Sequence, residues 1–228
     1  MSVSKKEIEQ EAIIYLKEHR ELLYDTFLKS YIPADEKVAY FTAGPSGAGK
    51  TEFTIEFLKN QNNIIHLDID LVRDFFKPLG YNGKNSDLFQ KPASYGVQFL
   101  FDEIVKNREL SLIVDSNLSH FQTAKENVVK LLKHNYKIEI FYIYNELEKC
   151  FLYTKKRESV TKRVVPEDVF FKSVVYSRST TSKIKTLFDS SVILNIIDKR
   201  NNRIYKNISS EHFEKIIPKY EVENDTKN

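Results

Sequence analysis

Residues 38–57 read VAYFTAGPSGAGKTEFTIEF, and this stretch decides the fold. It opens as an apolar run suited to a buried strand and closes with the spacing of a helix. Between the two stand Gly44, Pro45, Ser46, Gly47, Ala48, Gly49, Lys50 and Thr51, which match G-x-x-x-x-G-K-[ST] at every position. Strand, loop and helix in that order aim successive backbone N–H groups and a helix N-terminus at one pocket, which suits phosphate oxygens. Lys50 is then expected to reach the β- and γ-phosphates and the Thr51 hydroxyl to bind Mg²⁺, so the expected cofactors are ATP and Mg²⁺. Composition argues against a chance match, because the chain has only six glycines and three of them fall at 44, 47 and 49.

Working outward, further apolar runs lie at 63–69 (NIIHLDI), 110–116 (LSLIVDS), 137–144 (KIEIFYIY) and 191–197 (SVILNII). Helical patterns at 51–60, 92–106, 119–135, 146–157 and 166–188 separate them. Runs this apolar between helices predict buried parallel strands, hence an α/β P-loop NTPase fold with a doubly wound, mostly parallel five-stranded sheet and flanking helices. Residues 4–30 read as one long amphipathic helix opened by a Ser4/Glu7 capping box. Residues 197–209 read as a C-terminal hairpin turning at 199–202. The expected organisation is an N-terminal helical extension (1–34) packed on the core, a P-loop domain (35–220) and a frayed polar tail (221–228). The stretch 77–91, with Pro78, Gly80 and Gly83, reads as a long functional loop whose Tyr81 and Phe89 either stack on a base or pack the loop. FYIYN at 141–145 reads as core.

The 35 basic and 32 acidic residues are spread along the chain for a net charge of +3, which is no footprint for a nucleic-acid binder. No apolar window is long enough for a membrane span, and MSVSKKEIEQ lacks the apolar stretch of a secretory signal. The single Cys150 excludes an intramolecular disulfide and suits the cytoplasm. His19, His66, His120, His134 and His212 show no metal-ligand spacing, and His66 reads as a packed core or crevice residue.

Acidic residues close two of the strands. Asp68 and Asp70 end the second apolar run, and strand C-termini line the ligand crevice of an open α/β sheet. A kinase needs a carboxylate there to take the proton of the acceptor hydroxyl, a role expected of Asp70; the alternative is that Asp70 only caps a helix at 71–76. Asp115 ends SLIVD and is either a water-mediated Mg²⁺ holder or a capping residue. Arg157 and Arg163 flank a basic turn between two helices, as a lid closing on phosphate would, whereas Lys155, Lys156 and Lys162 read as solvated charge. No N-K-x-D guanine motif accompanies the loop, which points to a small-molecule kinase and away from a GTPase or motor.

These residues are similar to the zeta toxins, P-loop kinases of bacterial toxin–antitoxin systems, from about residue 38 to about residue 208. GPSGAGKT resembles the family's ATP loop, and HLDIDLVRDFF resembles its second-strand segment, which places the base on Asp70 with Asp68 beside the substrate. LIVDSN matches the acidic residue and the polar substrate contact two positions on, here Asp115 and Asn117; TKKRES and KRVVPED resemble the two arginine segments, giving Arg157 and Arg163. A substrate-binding glutamate of the family falls on Gln98 or Phe99 here, and Asn117 stands where some members have threonine. The resemblance implies phosphorylation of the 3′-hydroxyl of UDP-N-acetylglucosamine and an inhibitory antitoxin partner. Other acceptors remain open: an antibiotic, a dinucleotide or a polynucleotide 5′-end, as does a silent nucleotide-binding module.

Overall fold

The computed structural model describes residues 4–161 and 164–220. Its sheet has six strands in the order β2-β3-β1-β4-β5-β6. These are β1 (Val38–Ala43), β2 (Ile64–Asp68), β3 (Ser111–Asp115), β4 (Lys137–Tyr144), β5 (Ile193–Asp198) and β6 (Arg203–Tyr205). The first five are parallel, and β6 returns antiparallel from β5 as the far arm of the expected hairpin, adding a sixth strand to the expected five. Each parallel strand coincides with one of the apolar runs, since a strand covered on both faces has little room for polar side chains. The chain is therefore an α/β protein with a P-loop NTPase fold.

Nine α-helices occur among the described residues: α1 (Lys5–Glu18), α2 (Arg20–Leu28), α3 (Lys50–Lys59), α4 (Ile69–Asp74), α5 (Ser86–Glu103), α6 (Phe121–Lys133), α7 (Leu147–Thr161), α8 (Glu167–Phe188) and α9 (Ser210–Ile216). The expected single helix at 4–30 is two. Ser4 caps α1 in a reciprocal box with Glu7, but His19 leaves helical geometry at φ −108°, ψ 29° and the chain restarts as α2. Ala12, Leu16, Leu23 and Leu28 from this pair join the same apolar core as the sheet. The last helix, α9, is short and was not foreseen.

The expected loop at 77–91 is mostly ordered. A single 3₁₀ turn spans Lys77–Leu79, and α5 begins at Ser86, six residues before Pro92. Proline inside a helix removes one hydrogen bond. Here the face carrying Phe89, Pro92, Ala93, Gly96 and Leu100 stays buried, and that packing outweighs the local loss. Phe89 is accordingly core, against Phe76 and Tyr81 with ring centroids 5.6 Å from each, and is not a base-stacking surface.

The sheet order sets the site. The chain leaves β1 toward β2 on one side and reaches β4 on the other, so β1 lies at the topological switch point, where such sheets hold ligands. In register, Asp68 of β2 pairs with Asp115 of β3, which brings two carboxylates level at the crevice.

Candidate active site

The phosphate loop leaves β1 through Gly44, whose φ is 126°. A Cβ there would stand 2.2 Å from the Ile143 carbonyl oxygen, so only glycine lets the chain cross the end of β4. Gly47, at φ 73°, leans on α7, where a Cβ would lie 2.0 Å from the Cys150 carbonyl oxygen. Pro45, Ser46 and Ala48 complete the turn. The Ser46 N–H donates to Ser173 Oγ of α8 at 3.0 Å, and Ala48 N–H to the Pro45 carbonyl at 3.3 Å. Helix α3 then starts at Lys50, with Gly49 as its cap.

Lys50 is buried, and its ammonium donates to the carbonyls of Gly44 at 3.1 Å and Pro45 at 2.6 Å. Burial lowers its pKa to about 8, with Asp115 acting in the opposite direction. The cation thus waits inside its own loop, held by weak acceptors that a phosphate oxygen would outcompete. Lys199, past the end of β5, donates to the Gly49 carbonyl at 3.1 Å and braces the loop from behind.

Asp115 closes β3 beside this loop. Its Oδ1 accepts the Thr42 hydroxyl of β1 at 2.9 Å, and the same Thr42 oxygen accepts the Ser116 N–H at 3.0 Å. Burial alone would push the Asp115 carboxyl up. His66, Thr42, Lys50 and the Thr51 hydroxyl more than reverse this and hold it below the usual carboxylate value. Thr51 and Asp115 therefore offer adjacent hard oxygen donors, which is the donor chemistry Mg²⁺ takes. Asn117, two residues on, accepts the Gly44 N–H through its carbonyl at 3.4 Å.

The two expected strand acids part company. Strand β2 ends at Asp68, whose Oδ1 accepts the Asp70 N–H at 2.8 Å and caps α4. Asp70 is thus in the first helical turn and not on the strand, and the capping role considered for it belongs to Asp68. Asp68 is raised above the ordinary carboxylate value, by burial first and then by Asp70 and Asp115.

Asp70 is gripped from two sides. Arg73, one turn along α4, bonds its Oδ1, and Arg157 of α7 reaches its Oδ2 at 2.9 Å. Arg73 is fully buried and also bonds Gln90 of α5, tying α4 to α5, while Arg157 brings in α7 through Asp70. Arg157 lies within α7 and not at its end, because the helix runs four residues past the expected boundary, to Thr161. Arg163 and Lys162 lie outside the described residues. Lys155 is anchored on Glu158 and the Val165 carbonyl. Gln98 stands about two turns beyond Gln90 on α5, where its amide donates to Asp102 at 3.0 Å within a cluster that includes Lys130.

The structure thus gathers Lys50, Thr51, Asp68, Asp70, Asp115 and Arg157 at the carboxyl end of the sheet, with Asn117 at the loop's entrance and Gln98 in a different network. Sequence reading missed Arg73, Thr42 and Lys199, while His66, read as a packed core or crevice residue, faces Asp115 at 3.7 Å. The i, i+3 spacing of Asp70 and Arg73 was the available signal for one of them.

The zeta toxin family model matches residues 23–210. Among solved structures, one from the PezAT chromosomal toxin–antitoxin system of Streptococcus pneumoniae superposes with a TM-score of 0.66 at 18% identity, covering 92% of this chain and 86% of that one. The AvrRxo1-ORF1:-ORF2 complex with ATP gives 0.63 at 14% identity, covering 93% and 72%. Its native form gives 0.61 at 15%, covering 95% and 78%. Identities this low show a shared fold. No curated protein matches. No helix among the described residues is long and apolar enough to cross a membrane. Because the matched span runs from the second helix through the phosphate loop to the hairpin, most of the chain falls within it, and the protein belongs to the zeta toxin family.

Proposed function

We propose that this P-loop kinase of small substrates transfers the γ-phosphoryl group of ATP to a hydroxyl of a UDP-activated sugar, with UDP-N-acetylglucosamine as the acceptor. The observation that carries the reading is the Asp70 carboxylate held between Arg73 and Arg157, across the crevice from a complete phosphate loop. Family membership, and a similar fold solved with ATP, support the choice of nucleotide and chemistry.

In this reading the backbone of residues 44–51 cradles the phosphates and Lys50 leaves the Gly44 and Pro45 carbonyls for the β- and γ-oxygens. Thr51 and Asp115 would hold Mg²⁺, which when bound neutralises charge on those same oxygens. Arg157 exchanges Asp70 for the transferring phosphoryl group, where a planar guanidinium meets the equatorial charge; Arg163 is proposed to join it. That exchange releases Asp70 Oδ2 from the pair, and it accepts the acceptor's hydroxyl proton as the new O–P bond forms and the bond to the departing ADP breaks. Arg73 stays behind and keeps the carboxylate aimed. Asp68 and Asn117, at the ends of β2 and β3, are proposed to orient the acceptor.

An inhibitory protein partner belongs to the same proposal, supported by similar folds solved from the PezAT toxin–antitoxin system and in the AvrRxo1-ORF1:-ORF2 complex. The test is to incubate the protein with ATP, Mg²⁺ and a panel of UDP-sugars, free nucleotides, dinucleotides and 5′-hydroxyl oligonucleotides, reading products by mass spectrometry. A monophosphorylated UDP-sugar is expected. Phosphate appearing only on another member of the panel would overturn the acceptor assignment and keep the kinase.

A further inference from the structure

Three groups capable of binding a metal converge at the carboxyl ends of β2 and β3. His66 and Asp68 are alternate residues on β2 and so share a face, and Asp115 meets them from β3 in register with Asp68. One His66 nitrogen and one oxygen from each carboxylate lie within 4.8 Å of one another. Asp115 is only 9% exposed; its Oδ1 is used by Thr42, but Oδ2 is buried and makes no hydrogen bond. Facing it at 3.7 Å is His66 Nε2, which is also buried and also makes none.

That separation is informative. A hydrogen bond between the two would close to about 2.7–3.2 Å. Two ligands on one tetrahedral zinc, with bonds of about 2.0–2.2 Å, stand roughly 3.3–3.6 Å apart, close to what is found. Buried polar atoms without a hydrogen bond are costly, and one cation would satisfy both. The donor set of one imidazole nitrogen and two carboxylate oxygens suits the zinc and cobalt class better than Mg²⁺, which keeps to oxygen and water.

We propose that His66, Asp68 and Asp115 form a binding site for a zinc-class transition-metal ion, and that the bound ion takes Asp115 away from Mg²⁺ and so restrains turnover. The site itself stands on these three residues. Only its inhibitory consequence rests on the proposed function.

The test titrates Co²⁺ into the nucleotide-free full chain and follows the visible absorption of the bound ion, then displaces it with Zn²⁺. Wild type should bind one equivalent, and His66→Asn and Asp68→Asn should each weaken binding at least tenfold. Asparagine caps helices as well as aspartate does, so Asp68→Asn retains the start of α4, and circular dichroism checks the fold of both variants. Absence of Co²⁺ binding below millimolar concentration, or binding by both variants as tight as by wild type, would overturn the site. In the kinase assay, Zn²⁺ should inhibit wild type at a concentration at least tenfold lower than it inhibits His66→Asn, each normalised to its own uninhibited rate. Tight Co²⁺ binding with equal Zn²⁺ sensitivity would overturn the competition. A chain with no kinase activity would remove the proposed function, while the Co²⁺ titration would still decide the site.

Discussion

Arg157 Nη2 lies 2.9 Å from Asp70 Oδ2, joining α7 to α4 across 87 residues of chain. The other oxygen of the same carboxylate is held by Arg73, so one acid carries two guanidinium partners of different character. The Arg157 side chain is 55% exposed, and a pair so open to water contributes about 0–1 kcal/mol, which makes it easy to exchange for a phosphate. Arg73 is fully buried and has no such freedom.

Replacing Arg157 with alanine should therefore leave the unfolding free energy within about 1 kcal/mol of wild type and cut kcat at least ~10-fold, with ATP affinity changed much less. Arg157→Lys should recover part of the loss, since an ammonium lacks the planar fork. Lys156→Ala, next to it and exposed, is the control for plain charge. Steady-state kinetics on the three variants checks this. Equal losses for Arg157→Ala and Lys156→Ala, abolished by moderate salt, would mean a diffuse electrostatic patch.

Arg73→Met should do the opposite to the fold. Removing one partner from a buried charged network typically costs about 3–5 kcal/mol, and here both Asp70 and Gln90 lose the guanidinium. Urea unfolding should show a much lower midpoint than for Arg157→Ala. A midpoint equal to wild type would show that Arg73 does not tie α4 to α5.

Lys50 gives the account a pH dependence with a definite sign. Its folded pKa is lowered from 10.5 to about 8 by burial, against Asp115, Cys150 and Glu52 and together with Arg157. The protonated form is the one that binds phosphate, so ATP affinity should be level below pH 8 and fall as pH rises, by up to ~10-fold per unit. Above pH 8, ATP binding should take up as much as about one proton, measurable by titration calorimetry in buffers of different ionisation enthalpy. The unfolded chain holds the Lys50 proton up to its ordinary pKa, so this residue adds stability as pH climbs from about 8 toward 10.5. Affinity and stability should move in opposite directions across that window, and Lys50→Met should show neither change.

The parts of this site legible in the sequence were those written in consecutive residues. Gly44 through Thr51 carry their own pattern, and five apolar runs marked five strands because parallel strands are buried on both faces. Boundaries failed where packing or a helix cap overruled the local pattern. Pro92 suggested a helix start, yet α5 begins at Ser86 because its buried face continues through the proline. Asp68 and Asp70 looked like a strand pair, but the capping preference of Asp68 ends the strand one residue early and turns Asp70 into the helix. Arg73 was passed over as a site residue because arginine is rarely buried: its spacing to Asp70 is local, but its second partner, Gln90, reaches it only once α4 packs on α5. The hydrogen bond of Thr42 to Asp115 and the placement of His66 beside it likewise depend on the strand order, which no single strand encodes.

The most direct test of the central claim is single-turnover transfer from radiolabelled ATP to the acceptor by Asp70→Asn, with ATP affinity measured alongside. If Asp70 takes the hydroxyl proton, the transfer rate should fall at least ~10²-fold while ATP binds nearly as in wild type, and Asp68→Asn should lose less. Transfer by Asp70→Asn at the wild-type rate, or a larger loss in Asp68→Asn, would contradict the assignment of the base to the carboxylate held between Arg73 and Arg157.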